Sequence, residues 1–179
     1  MPSVPLHPAL VHIPLGLALV APVVTIAFAL GLWTERLRPR SWLAVVALFA
    51  TLLGAGLVAL KTGQNEETRV EAVVPEAAIA THEGLAEQFL WVTGVSLLLA
   101  GTVLALRRPV AVRAGVVVVV VCSFVVAAAA IRVGRAGGKL VYVHNAARAY
   151  ISQSNAGGEA KTSTIPTLDQ TKGKDADND

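Results

Sequence analysis

Charge is scarce in this chain: only 15% of its 179 residues are Asp, Glu, Lys or Arg, whereas 54% are hydrophobic. A single small soluble core cannot hide that much apolar surface, so the composition excludes an ordinary soluble domain and indicates an integral membrane protein. Cysteine is reduced to Cys122, which excludes an internal disulfide and any cysteine-built metal cage. Neither a phosphate-cradling glycine loop nor a nucleophile–base arrangement occurs, which leaves an enzyme as the reading with least support. The net charge of +3 comes from loop clusters that set membrane topology, so nucleic acid is not expected as a partner. Basic residues are also missing ahead of Pro8. That argues against a cleaved secretory signal, although Ala27-Phe28-Ala29 mimics a small-residue cleavage site.

What the chain has is four long apolar runs without a charge: Leu10 to Trp33, Trp42 to Leu60, Phe89 to Leu106 and Gly115 to Ile131. Each approaches the roughly 20 residues that a helix needs to cross a bilayer core. Short connections, "TERLRPRS" at 34–41 and "RRPVAVRA" at 107–114, join them into two antiparallel hairpins. The expectation is an all-α membrane protein, a four-transmembrane-helix bundle occupying residues 1–150. The central connection, "KTGQNEETRVEAVVPEAAIATHE", reads as a long acidic loop, with the Thr81 hydroxyl capping the third helix. "GGKLVY" reads as a glycine turn after the fourth span, with Lys139 snorkelling and Tyr142 anchoring at the headgroups. Residues 151–179, rich in Ser, Gly, Thr, Lys and Asp, have little to bury and read as a disordered polar tail.

The two halves share a layout. His12 precedes the Arg36/Arg38/Arg40 loop by one crossing, and His82 precedes Arg107/Arg108 similarly, which suggests a parallel internal repeat about an axis along the membrane normal. The arginine loops, Arg113 included, go to the cytoplasm by the positive-inside rule. Both termini then face the periplasm or exterior of a multi-pass protein in the bacterial inner membrane. Arg132, Arg135, Lys139 and Arg148 pull the other way.

Four crossings place His7, His12, His82 and His144, the four histidines of the chain, at one membrane face. Imidazole is a common ligand for haem iron and for transition metals, and ionisable groups at a membrane are functional candidates by default. His12 and His82, each opening a span, are expected to face one another as the principal ligand pair, with His7 and His144 on the flanks. Pro8 at a helix start would leave His7 on the lead-in. In "HEGLAEQ", Glu83 and Glu87 share a helix face and Ala86 stands where a zincin would have its second His. These carboxylates read as a solvated helix start or, for Glu83, as a further metal ligand beside His12 and His82.

"HPALVHIPLGL" at the start, a lone His opening the third span and "GGKLVYVHNAA" after the fourth together resemble the DUF2231 family of predicted bacterial membrane proteins, over about residues 5–148. By motif match the resemblance carries His7, Pro8, His12 and Pro14, then His82, then Gly137, Gly138, Leu140, Val141 and Tyr142. Related chains occur joined to c-type cytochrome or Rieske-like modules, which implies respiratory electron transfer and a partner of that kind besides the lipid bilayer. The chain departs from the family where "HEGLAEQ" puts two carboxylates in place of apolar residues and an amide. The expected cofactor is haem b, with a transition-metal ion as the alternative and a non-catalytic membrane scaffold subunit as the third reading.

Overall fold

The computed structural model describes residues 6–149. The expected polar tail at 151–179 lies outside the described residues. Five α-helices run in order: α1 (Leu6–Leu10), α2 (His12–Trp33), α3 (Leu43–Glu71), α4 (Glu76–Ala105) and α5 (Pro109–Tyr142), with a 3-10 turn at Pro39–Trp42 leading into α3. Helices α2 to α5 are long and apolar enough to cross a membrane. Each packs on two neighbours, α2 and α4 both lying against α3 and α5, so the bundle is a closed square.

The four apolar runs are where the sequence places them, but three of the helices continue well past the apolar boundary at one end of the bundle. α3 runs on from Leu60 to Glu71, α4 begins at Glu76 rather than near Phe89, and α5 continues past Ile131 to Tyr142. Thirty residues of helix measure about 45 Å against about 30 Å of hydrocarbon, so this end projects into the interface. The expected long loop is therefore a tight turn through Ala72–Pro75, in which Val73 and Val74 both donate to the Val70 carbonyl. Pro75 is the N-cap of α4. Thr81 is consequently no cap: it lies inside α4 and its hydroxyl donates to Ala77 O at 2.7 Å. Gly137 and Gly138 form no turn either, since both are helical. The chain reverses later, at Asn145, whose φ of 56° is left-handed, and Ala146 N returns to Leu140 O at 3.0 Å. Ala146 then packs with Val74 and Ile79 as a small apolar cluster at this end.

Small side chains let the helices approach closely. Ala18, Ala21, Ala100, Thr25, Thr93 and Ser123 are fully buried, and without a hydrophobic drive between helices in lipid, such close contact is what holds a bundle together. The buried hydroxyls are satisfied within their own helices: Thr25 to Ala21 O, Thr93 to Phe89 O, Ser96 to Val92 O and Ser123 to Val120 O. A side chain of the 3-10 turn reaches across to α4. Trp42, 1% exposed, donates its indole N–H to Ala100 O at 3.0 Å.

The internal repeat is visible in burial, in a different register from the one expected. The register that lays His7 on His82 also lays Pro14, Ala18, Ala21 and Thr25 on Phe89, Thr93, Ser96 and Ala100, all buried. A register one residue shorter lays Trp42, Val45, Phe49, Leu52 and Gly56 of the second helix on Val116, Val119, Ser123, Val126 and Ala130, again all buried. The counterpart of His82 is thus His7; His12 corresponds to Glu87. α2 with α4, and α3 with α5, are diagonal partners across the bundle.

Replacing Trp42 by Phe keeps most of the ring volume and removes the Ala100 bond. We expect this variant to lose about 1 kcal/mol, the net worth of one hydrogen bond, seen as an earlier midpoint in denaturant titration of the micelle-bound protein.

Candidate functional site

The helical extensions surround a cavity of about 630 Å³, bordered by residues from all four long helices and from α1. Its walls are chiefly apolar, among them Leu15, Phe89, Leu90, Val133 and Leu140. The polar groups on them are His7, His12, His82, Gln64, Glu66, Glu67, Glu83 and Tyr142. His144, in the turn after α5, does not border it. Three of the four histidines expected at one face therefore share a single cavity.

The paired rings are those of His7 and His82. Their centres are 6.4 Å apart and their planes stand at 80°. His7 and His12 stand on one helical stretch, since Val11 between them has helical backbone angles, donates its N–H to His7 O at 3.1 Å and accepts from Leu15 N–H at 3.2 Å. Five residues apart, the two side chains leave it on different faces, His7 turned to α3 and His12 exposed. His7 is held by α3: its Nδ1 lies 2.9 Å from Ala59 O and 3.4 Å from Thr62 Oγ1, and its backbone N–H donates to Glu66 Oε1 at 3.4 Å. A carbonyl oxygen only accepts, so Nδ1 carries the proton, and in the neutral ring Nε2 keeps its lone pair for a ligand.

His82 projects from α4 towards α5. Its Nδ1 is buried and has no partner of good hydrogen-bonding geometry; the backbone of Val133, the counterpart of Ala59, is a weak hydrogen-bond partner of the ring. Buried polar nitrogens are normally satisfied. One without a well-placed partner leaves its ring less firmly oriented than that of His7. His12, by contrast, is exposed at the start of α2 and forms part of the wall.

Each of the paired imidazoles lies against a glycine of the neighbouring helix. A Cβ on Gly63 would stand 3.0 Å from Cε1 and 3.2 Å from Nδ1 of His7; on Gly137 it would stand 3.2 Å from Cε1 of His82. The glycines occupy equivalent positions in the repeat. Neither Gly63 nor the Ala59–Thr62–Glu66 tether is suggested by any local motif. The signal that identifies them is an interval: His7 to Gly63 and His82 to Gly137 differ by a single residue in length.

Carboxylates surround the pair on the side of α3 and α4. The charge of Glu83 is opposed by those of Glu67, Glu87 and Glu71. Among the described residues no three His, Cys, Asp or Glu side chains form a group that could hold one metal ion. His12, His82 and Glu83 border the cavity without making such a group.

The sequence profile of a family described as predicted membrane protein (DUF2231) matches residues 3–149. No curated protein and no solved structure matches the chain.

Gly63→Ala and Gly137→Ala should each push the adjoining imidazole by a few tenths of an ångström. The Cε1–H resonance of His7 should move in the first variant and that of His82 in the second. Gly138, with open space where its Cβ would stand, is the control: Gly138→Ala should move neither.

Proposed function

The chain belongs to the DUF2231 family of predicted membrane proteins, and we propose that its bundle holds haem b between His7 and His82 and passes electrons at the membrane boundary. The observation that carries this reading is the 6.4 Å between the two ring centres. Two imidazoles binding one iron from opposite sides, with metal–nitrogen bonds of about 2 Å, put their ring centres roughly 6 Å apart. Haem asks the protein for two axial nitrogens and an apolar enclosure, because the macrocycle supplies the other four ligands. The cavity offers both. A bare transition-metal ion asks for three or four protein donors, and the described residues contain no such group. Haem b is therefore favoured over the ion.

When bound, haem supplies one-electron chemistry. The residues of this chain orient and tune it. Ala59 O fixes the tautomer and direction of the His7 ring, Gly63 and Gly137 set the depth of the two imidazoles, and the apolar walls keep water out. Glu66, Glu67 and Glu83 place negative charge around the cavity, which favours the oxidised, more positive iron and a low reduction potential. The redox partner is of the c-type cytochrome or Rieske-like kind, a choice supported by the family resemblance. The location we propose is the bacterial inner membrane, with the cavity end outside, supported by the arginines at the opposite end of the bundle.

The test is the absorption spectrum and metal content of protein purified with native lipids. A Soret band is expected. It should vanish when His7→Ala and His82→Ala are combined and persist in His144→Ala. His12→Ala should shift it slightly, since that ring forms only part of the wall. Metal without colour would move the assignment to an ion, and neither would defeat both. For orientation, a reporter fused near Arg38 should behave as cytoplasmic and one fused after Gly157 as external; the reverse would invert the topology and leave the cavity where it is.

A further inference from the structure

We infer that the two imidazoles are unequal, with His82 the one that yields, so that the site admits a small neutral diatomic molecule such as carbon monoxide, nitric oxide or dioxygen on the His82 side. This rests on the haem reading above and adds a ligand class to the same site. The internal repeat supplies the comparison, because it puts matched surroundings around the two rings and shows where they differ.

On the His7 side, Ala59 O stands at 2.9 Å and Thr62 Oγ1 at 3.4 Å from Nδ1, and Glu66 Oε1 accepts from the backbone at 3.4 Å. The repeat replaces Thr62 by Ala136 and Glu66 by Leu140, neither of which has a polar side chain. Val133 takes the place of Ala59, but its backbone is only a weak partner of the ring, and Nδ1 of His82 is buried without a bond of good geometry. The tether is thus three contacts on the His7 side and one weak backbone contact on the His82 side. An acceptor on the far nitrogen of a ligating imidazole fixes the ring and raises its basicity, and its loss typically costs about 10- to 100-fold in metal affinity. The iron bond of His7 is therefore the stronger, and exchange occurs at His82. In that exchange the dative bond from the His82 nitrogen to the iron breaks and one to the incoming molecule forms. No proton moves, and with carbon monoxide, the molecule of the test, the iron keeps its oxidation state. An apolar enclosure favours a neutral incoming molecule over an anion, and so do the carboxylates of Glu67 and Glu83 on its wall.

The experiment uses the full-length protein in detergent with native lipids, loaded with haemin, reduced with dithionite and titrated with carbon monoxide while the Soret band is followed. The wild type should convert to a carbon monoxide adduct. His82→Ala should retain haem and bind carbon monoxide at least about 10-fold more tightly, whereas His7→Ala should lose haem. Ala136→Ser gives His82 the hydroxyl that Thr62 provides for His7, and it should weaken carbon monoxide binding about 10-fold without lowering haem content. This last variant retains both ligands, so it decides the matter even where removing a histidine impairs folding. Haem-loaded wild type inert to carbon monoxide, equal behaviour of the two histidine variants, or unchanged affinity in Ala136→Ser would overturn the inference and leave the haem reading standing. No Soret band in any preparation would sink both.

Discussion

In hydrocarbon every backbone N–H and C=O must find its partner inside the chain, so each crossing has to be an unbroken helix. That constraint settles where chemistry can be placed in this protein. Within the apolar spans the buried hydroxyls of Thr25, Thr93, Ser96 and Ser123 all turn back to carbonyls of their own helices, leaving the interior closely packed and chemically silent. The polar side chains are displaced to the ends. At one end three helices run past the bilayer boundary, and there their spacing encloses a cavity.

Repetition and its lapses explain the character of that cavity. Burial repeats almost residue for residue between the halves, because both halves must satisfy the same packing against diagonal partners. The surroundings of the two imidazoles do not repeat: Thr62 and Glu66 have Ala136 and Leu140 as counterparts. Packing positions are held to one pattern by close contact. Positions that only orient a side chain are free to diverge, and it is there that the halves have become chemically different.

Much of the fold was legible in the sequence, since charge-free runs of the right length have few structural outcomes. The ends of the helices were not. Helical continuity from Lys61 to Glu71 and from Ile131 to Tyr142 has no apolar stripe to announce it, and glycines at 63, 137 and 138 argue locally for turns. At Gly63 and Gly137 the reason for helix is tertiary, since His7 and His82 fill the space beside them, whereas Gly138 has open space there. The candidate histidines were legible as a set, because alternating crossings fix which end each occupies. Their pairing was not. Proximity to the apolar boundary suggested His12, whereas the helical stretch carrying both residues turns His7, and not His12, onto α3.

Each imidazole is seated within its own half of the chain, His7 against α3 and His82 against α5. Along the chain the halves are joined by the turn at Ala72–Pro75. Neither half by itself encloses anything, since one ring and one glycine make a seat and no chamber. The chamber comes into being when α2 and α4 settle diagonally across from one another. An occupant spanning both rings would therefore clamp the two hairpins together, and its presence would report that the second half of the chain has found the first.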